Sequence, residues 1–403
     1  MNEQEVINIE EKLMANVYAK RPVVITKGKG ALVWDINGKE YIDCTGSYGV
    51  CIVGHSNPKV VEAVKRQAET LISCHASFYN DVRSELLQKI TQITPKGLNK
   101  IFLANSGAEA VECAIKLARR FSGKSEIIAM IGAFHGKTMG ALTATWDKKY
   151  SEPFKPLVPE FKHVPPDDLE KVRAAITEKT AAILVEPIRG EGGIRVPSNG
   201  FLPGLREICD ERGILLIFDE VQTGFGRTGK MFACEHWNVT PDVICLAKSV
   251  AGGLPIGVTI AKEDIMSSFK VGEHTSTFGG NPLVCAAACA AIDFLVEEKL
   301  PERAATLGRH FKEKLENLQA HHKIIKEVRG LGLMIGVELR FDVLNILNKS
   351  MKKGVLILDA GRNVLRFLPP LVIEKEHIDK VISALDMVIE EEEHERLRGS
   401  TPN

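Results

Sequence analysis

The sequence predicts an α/β protein with a large domain, built on a mainly parallel sheet covered by helices, and a smaller α+β domain. Two observations support this fold class. From about residue 100, short apolar runs alternate with segments of helical periodicity, and the runs lack the polar alternation of a half-exposed strand. After residue 281, long helices with a few short strands replace that alternation.

The elements follow in chain order. Apolar runs predict strands at 101–103, 127–131, 181–185, 214–218 and 243–246. Amphipathic periodicity predicts helices ending near residue 120 and covering 204–212, 282–298 and 302–319. Short strands near 332–339 and 364–367 and a charged helix from residue 374 complete the chain, and the final RGSTPN is expected to fray. We therefore expect an N-terminal segment at 1–50 that packs with the small domain, a large domain at 51–288 and a small domain at 289–403.

Composition limits the classes of partner. Lysine plus arginine equals aspartate plus glutamate, at 52 each, so no global field attracts nucleic acid or anionic lipid. Nine cysteines without a CxxC pair or metal-ligand spacing indicate buried thiols in a reducing compartment and no metal site. The polar N-terminus is unlike a secretory signal, and no apolar stretch reaches the length of a membrane span. We expect a cytoplasmic enzyme.

Residues that carry chemistry stand where the apolar runs end, which is where open α/β sheets bind ligands. Run 101–103 leads into Asn105, Ser106 and a helix, which offers a hydroxyl and free N–H groups to a phosphate. Run 214–218 leads to Asp219, and run 243–246 leads to Lys248, whose amine loses hydration and becomes suited to a Schiff base. Each feature alone has an ordinary explanation as a helix cap, a turn residue or a surface lysine. Together they favour pyridoxal phosphate (PLP).

Two nucleotide-binding patterns fail on their context. The segment GAFHGKT resembles a phosphate-binding loop, but the pattern requires glycine at position 131, where the chain has Ile131. The segment GFGRTG matches a dinucleotide fingerprint, yet the acidic residue expected about 20 positions on is missing because Asp242 comes too early. A nicotinamide dehydrogenase is therefore disfavoured.

The successive motifs resemble one family over nearly the whole chain. NSGAEA, FHGKT, VEPIRGEGG, FDEVQTGFGRTGK, LAKSVAGGLPIG and STFGGNP look like those of class III (ω-amino) aminotransferases, enzymes of PLP fold type I. EYIDC, SYGVCIVGHSNP, TWDKKYSEPFKPLV, EVRGLGLMIGVEL and RFLPPLVIEKE resemble the branch that serves lysine and arginine biosynthesis. That branch contains acetylornithine aminotransferases and enzymes that act on substrates held by the amino-group carrier protein LysW.

The resemblance implies a role for each cofactor residue. Lys248 would attach PLP and then transfer protons, and Asp219 would keep the pyridine nitrogen protonated. Gln222 would bond the ring oxygen, and Phe134 and Val221 would sandwich the ring. The remaining residues implied to bind PLP are Ser106, Gly107, Ala108, His135 and, reaching the phosphate of the neighbouring subunit, Thr277. The family usually has threonine where this chain has Ala108, so one hydroxyl contact is lost. A homodimer with shared active sites follows.

The resemblance also implies how two unlike substrates share one pocket. Arg366 would grip the α-carboxylate of 2-oxoglutarate or glutamate, and Glu191 would pair with Arg366 while the ω-amine reacts. Tyr18 and Lys137 match the family positions that bind the distal carboxylate, and Tyr48 could line the same end. Related ornithine-using enzymes have arginine where this chain has Lys137. A lysine is a point charge and not a planar fork, which puts tight recognition of a free amino acid in doubt.

The sequence leaves the amine donor open among LysW-bound lysine or ornithine, N-acetylornithine and free ornithine. We expect a donor with a blocked α-nitrogen, with LysW as partner and a basic entrance at Lys20, Arg21, Lys137, Lys148 and Lys149. A glutamate-semialdehyde aminomutase shares much of the scaffold but is disfavoured by the Glu191 and Arg366 pair. A binding protein without catalysis is disfavoured by the intact lysine and aspartate.

Overall fold

The computed structural model describes residues 1–398, so the predicted fraying of residues 399–403 lies outside the described part. Its α-helices are α1 (Glu3–Leu13), α2 (Gly46–Gly49), α3 (Pro58–Thr70), α4 (Asp81–Ile93), α5 (Gly107–Ser122), α6 (Met139–Ala144), α7 (Lys148–Ser151), α8 (Leu169–Ala175), α9 (Phe201–Arg212), α10 (Glu263–Met266), α11 (Pro282–Glu297), α12 (Leu300–His321), α13 (Leu344–Lys352) and α14 (Lys375–Arg398). Its strands are β1 (Ile25–Lys29), β2 (Leu32–Asp35), β3 (Glu40–Asp43), β4 (Lys100–Ala104), β5 (Glu126–Met130), β6 (Phe161–Val164), β7 (Thr180–Val185), β8 (Leu215–Asp219), β9 (Val243–Leu246), β10 (Gly257–Ala261), β11 (Ile325–Leu331), β12 (Met334–Leu339), β13 (Val355–Leu356), β14 (Leu358–Asp359) and β15 (Val364–Phe367).

A seven-stranded sheet forms the centre of the molecule, in the order β4-β10-β9-β8-β7-β5-β6. The pairs from β9 to β6 are parallel, and β10 is antiparallel to both of its neighbours, β4 and β9. Strand β10 therefore runs against the other six strands. The prediction of a mainly parallel sheet is confirmed.

Both faces of this sheet are buried, as the unbroken apolar runs predicted. Along β5, Ile128 and Met130 belong to one apolar cluster, whereas Ile127 and Ala129 belong to another. Because successive side chains of a strand point to opposite faces, the two clusters lie on the two sides of the sheet. Helix α5 packs against β9 and β10 and contributes to the second cluster. The fully covered sheet leaves the strand ends as the place for a ligand.

Two four-stranded sheets lie outside the central sheet, and one of them joins the two ends of the chain. The first has the order β1-β2-β3-β13, in which Ile42 of β3 pairs with Val355 of β13. The second has the order β11-β12-β15-β14 and carries Arg366. The N-terminal segment thus pairs with a strand from beyond residue 350. Helix α11 runs without interruption across residue 288, and the division into domains at residues 50 and 288 stays a prediction.

The predicted element bounds need small corrections, and several elements were missed. The strand expected at 214–218 is Leu215–Asp219, so Asp219 is its last residue. The strand expected at 332–339 begins at Met334, because Gly332 takes the left-handed conformation of a turn (φ +55°). Strands β1, β2, β3, β6, β10, β11, β13 and β14 were not predicted. In the part of the chain that the structure describes, no helix has both the length and the apolar composition needed to cross a membrane.

Candidate active site

A cavity of about 350 Å³ opens at the carboxyl ends of the central strands. Its walls come from the residues after β4, β5, β7, β8 and β9, which are far apart in sequence. Ten predicted site residues line it, namely Ser106, Gly107, Ala108, Phe134, His135, Glu191, Asp219, Val221, Gln222 and Lys248. The structure therefore brings the predicted cofactor set together, apart from Thr277.

Lys248 begins a short 3-10 turn, Lys248–Ala251, immediately beyond β9. Its backbone takes a left-handed conformation with φ +39°, which is rare for a residue with a side chain and is common at functional sites. Burial lowers the pKa of the Lys248 amine, and the nearby carboxylate of Asp219 opposes that shift. Loss of hydration gives this amine a larger fraction of the neutral, nucleophilic form.

Asp219 ends β8 and is held by two hydrogen bonds. Its Oδ1 accepts the backbone N–H of Val221 at 3.0 Å, and its Oδ2 lies 2.8 Å from Nδ1 of His135. Both side chains are buried. Since a carboxylate only accepts, the proton on this bond belongs to Nδ1 of the imidazole. His135 thus orients the carboxylate from behind.

The N-terminus of α5 forms the opposite wall. Ser106 is the N-cap, and its Oγ accepts the backbone N–H of Glu109 at 3.2 Å. The first N–H groups of a helix have no acceptor within the helix and carry the positive end of its dipole. A Cβ atom on Gly107 would lie 2.7 Å from Val221 Cγ1, so glycine is required for this close approach. The wall suits a phosphate group.

Two buried polar atoms of residues that line the cavity have no hydrogen-bond partner among the described residues: His135 Nε2 and Gln222 Oε1. Buried polar groups are nearly always paired, so unpaired ones in a cavity indicate a missing ligand. Gln222 lies on the cavity wall, as do Phe134 and Val221. The residues therefore fit a flat heterocycle with a phosphate and polar ring substituents, which describes PLP.

Glu191 and Arg366 form an ion pair beside this cavity. Arg366 lies on β15, is 1% exposed, and donates from Nη1 to Oε1 of Glu191. Glu191 stands on the loop after β7, and its side chain is 27% exposed. The ring centre of Tyr48 lies 5.6 Å from the Arg366 guanidinium carbon. The two residues predicted to form a gate are therefore paired in this structure.

Five predicted residues do not line the cavity, namely Arg366 with Tyr48 beside it, and Tyr18, Lys137 and Thr277. Tyr18 is exposed and lines a second cavity, of about 490 Å³, between α1 and the segment that follows it. The Lys137 ammonium lies over the ring of Tyr150, 5.1 Å from its centre. Thr277 is exposed on the surface. None of these placements tests the roles that the family resemblance implies for them.

Sequence reasoning assigned no role to Glu186, which also lines the cavity. Its Oε1 accepts the backbone N–H of Phe134 at 2.9 Å, and its Oε2 accepts that of Gly190 at 3.0 Å. Burial raises the pKa of this carboxyl to about 7. It stands directly after β7, so the strand-end rule that identified Asp219 would also have found it.

A lysine, an aspartate and a phosphate-binding helix end, gathered at the strand ends of this sheet, define a PLP-dependent enzyme of fold type I. The sequence profile of the family "Aminotransferase class-III" matches residues 13–389. The chain belongs to this family, and its cofactor is pyridoxal 5′-phosphate.

Relatives cover almost the entire chain. It is 49% identical over 397 residues to the acetylornithine aminotransferase of Methanocaldococcus jannaschii, an alignment that covers 97% of this chain and 99% of that protein. It is 46% identical over 383 residues to the [LysW]-aminoadipate semialdehyde transaminase of Deinococcus radiodurans, with 94% and 89% covered. The crystal structure of ornithine aminotransferase from Toxoplasma gondii superposes with a TM-score of 0.94 at 36% identity, covering 98% of this chain and 96% of that one.

Proposed function

We propose that this ω-aminotransferase of amino-acid biosynthesis moves the terminal amino group of an α-N-blocked ornithine or lysine to 2-oxoglutarate. The products are a semialdehyde and glutamate. The observation that carries the proposal is the closed pair of Glu191 with buried Arg366 beside the Lys248 cavity. The pair provides a binding site for a carboxylate that Glu191 can occupy. An enzyme needs such a site when one substrate has a carboxylate beside the reacting carbon and the other, an ω-amine, does not.

The cavity residues would act in sequence around the bound cofactor, which supplies an electron sink for the bond broken at the carbon that bears the amine. Lys248 would hold PLP through its amine and, once freed by the substrate amine, would move the proton from the reacting carbon to the cofactor. Asp219, fixed by His135, keeps the ring nitrogen protonated. The wall formed by Ser106, Gly107 and Ala108 binds the phosphate. Phe134 and Val221 hold the ring plane.

The gate divides the two half-reactions. While Glu191 occupies Arg366, the cation is neutralised, so a substrate can only place its carboxylate at the far end and its ω-amine at Lys248. When Glu191 moves aside, Arg366 can bind the α-carboxylate of 2-oxoglutarate through a bidentate, charge-assisted pair of hydrogen bonds. The carboxylate of the acceptor then stands beside the reacting carbon. One pocket thus serves both substrates.

Basic side chains near the cavity support a carrier-linked donor whose docking partner is acidic, and we propose LysW as that partner. Phe134, on the cavity wall, packs edge-on against Tyr150 with 5.5 Å between ring centres. The ammonium groups of Lys137 and Lys149 lie 5.1 and 4.7 Å from the centre of that Tyr150 ring. Lys20 and Arg21 line the second cavity. Docking energy gained there would lessen the need for an arginine at the distal carboxylate.

The deciding experiment compares kcat/KM for N-acetylornithine, free ornithine and carrier-linked lysine, with 2-oxoglutarate as acceptor. We expect both α-blocked donors to exceed free ornithine. The KM of the carrier-linked donor should rise with salt concentration, and it should also rise in Lys137→Gln. It should not rise in the control Lys171→Gln, which removes an exposed lysine of α8 that pairs with Asp168. A salt-independent KM would remove the carrier from the proposal.

Free ornithine is the second candidate donor, favoured by the close structural match to an ornithine aminotransferase. Equal or better kcat/KM for free ornithine would establish it. A glutamate-semialdehyde aminomutase would show turnover without stoichiometric consumption of 2-oxoglutarate.

We also propose a homodimer with shared active sites. Phe78 and Phe278 are among the exposed apolar side chains. The segments that carry them lie next to each other, because Arg83 donates to the carbonyls of both Phe78 and Gly280. Thr277 stands on this surface, outside its own cavity. Sedimentation should give twice the chain mass, and Thr277→Ala should weaken PLP binding about tenfold, the effect of one lost hydrogen bond to a charged group. A monomer that binds PLP normally would contradict this.

A further inference from the structure

The loop that carries Glu191 is closed on itself at its neck. Arg189 and Arg195 exchange backbone hydrogen bonds of 3.1 and 3.0 Å. Inside the neck, the N–H groups of Gly193 and Ile194 donate to the carbonyl of Gly190. A compact loop of this kind moves as a unit, so its attachments decide where Glu191 rests.

The guanidinium of Arg329 attaches the backbone of the loop to the neighbouring sheet, and the loop's own Arg195 adds side-chain bonds to Glu327 and Glu338. Arg329 of β11 donates from Nη2 to the Gly193 carbonyl at 2.7 Å and from Nε to the Gly193 and Ile194 carbonyls at 2.9 and 3.2 Å. Its Nη1 donates to Glu338 at 2.7 Å and to Glu327 at 2.6 Å. Only 9% of the Arg329 side chain is exposed. The same planar group thus binds the loop on one edge and the sheet on the other.

Glu338 is the anchor of this attachment on β12. It is buried and also accepts from Arg195 Nη2 at 2.6 Å and from Lys326 Nζ at 2.7 Å. Burial raises its pKa, but the hydrogen bonds from Lys326 and Arg329 outweigh burial and lower the pKa to about 2. Glu338 therefore stays ionised at any pH at which the enzyme would be assayed.

Strand β12 also holds the other half of the gate. Gly336 of β12 pairs with Arg366 of β15, two residues from Glu338. Both members of the gate are thus located relative to one strand, Arg366 by the sheet ladder and Glu191 through Arg329. Because Arg329 does not line the cavity, its influence on a substrate must pass through the loop.

We propose that Arg329 is a positioning residue that fixes the resting place of Glu191 against Arg366 and so sets the discrimination between ω-amine donors and substrates with an α-carboxylate. The inference rests on the proposed function of the Glu191 and Arg366 pair. If the loop is held less firmly, Glu191 pairs with Arg366 for a smaller fraction of the time. Dicarboxylates then bind more readily, and ω-amine donors more often enter with the wrong end at Arg366.

Binding of glutarate, a dicarboxylate without a reactive carbonyl, tests this independently of turnover. By calorimetry on the holoenzyme, Arg329→Gln should bind glutarate about tenfold more tightly than wild type, because Glu191 competes less for Arg366. The kcat/KM ratio of N-acetylornithine to glutamate should fall by a similar factor. Arg329→Lys should lie between the two, and Lys326→Gln, which touches Glu338 but not the loop, should match wild type.

A purely structural role predicts the opposite sign. General damage to the site would weaken glutarate binding and lower kcat/KM for N-acetylornithine and glutamate together. Either that result or an unchanged glutarate affinity in both Arg329 variants would overturn the inference. If Arg329→Gln does not fold, Arg329→Lys decides. Failure of the proposed function is separable, because wild type would then bind glutarate no better than Arg366→Ala does.

Discussion

Replacement of Arg366 by alanine should separate the two half-reactions. Arg366 is 1% exposed and donates to Glu191, so it is a desolvated cation with a defined partner. Truncating one member of a buried charge pair costs about 2–5 kcal/mol. The half-reaction with 2-oxoglutarate should therefore lose about 100-fold or more in kcat/KM, since about 1.4 kcal/mol corresponds to tenfold. The amine half-reaction should lose less than about tenfold, because Glu191 neutralises the arginine during that step.

Single-turnover absorbance changes of the bound cofactor measure each half-reaction separately. Glu191→Gln provides the complementary test, and it should retain the reaction with 2-oxoglutarate while reacting more readily with glutamate. Arg362→Ala is a matched control, because Arg362 lies four residues before Arg366 and its side chain is 86% exposed. That variant should behave as wild type. If Arg366→Ala slows both half-reactions equally, Arg366 is structural and the gate does not exist.

Three further predictions follow from the same geometry. Lys248→Ala should bind PLP without covalent attachment, seen by its absorbance spectrum, and lose transamination by several orders of magnitude. Asp219→Asn should lower kcat by about 100-fold or more with little change in KM, because it removes the charge that His135 orients. His55→Gln tests pH linkage. Although burial lowers it, hydrogen bonds with Asp43 and Cys51 raise the pKa of His55 from 6.5 to about 10. The stabilising charge of His55 is fully present below pH 6.5 and is lost as pH rises through 10. Denaturant unfolding at low pH should therefore show the variant to be less stable than wild type by roughly 2–4 kcal/mol, and this difference should disappear as pH rises over that range.

The central sheet could be predicted because its strands are buried on both faces and short. Five apolar runs predicted β4, β5, β7, β8 and β9 to within one residue at each end. Strand β10, at 257–261, is equally buried, but it follows a glycine-rich segment that was interpreted only as part of the lysine motif. Its direction could not be predicted either, since a hydrophobic run does not reveal which way a strand runs.

The site was predictable where chemistry and strand ends coincide. Lys248 and Asp219 satisfy that rule, and their meeting in one cavity follows from the parallel order of β8 and β9. Contacts that depend on long-range packing gave no local signal. The bond from Arg329 to the Gly193 carbonyl joins residues 136 positions apart, and no periodicity or motif spacing encodes it.

If the pair of Glu191 and Arg366 acts as the proposed gate, the structure indicates which of the two residues moves. The guanidinium of Arg366 cannot be hydrated by moving, because it is buried and its strand is paired on both sides. Glu191 is 27% exposed and stands on a loop, so its carboxylate can be hydrated once it leaves. Opening of the proposed gate would therefore exchange one carboxylate for another on a fixed cation and would leave no buried charge unpaired. That exchange keeps the free-energy difference between the two states small. It also explains why the attachment of the loop, rather than the strength of the ion pair alone, can determine which substrate the pocket favours.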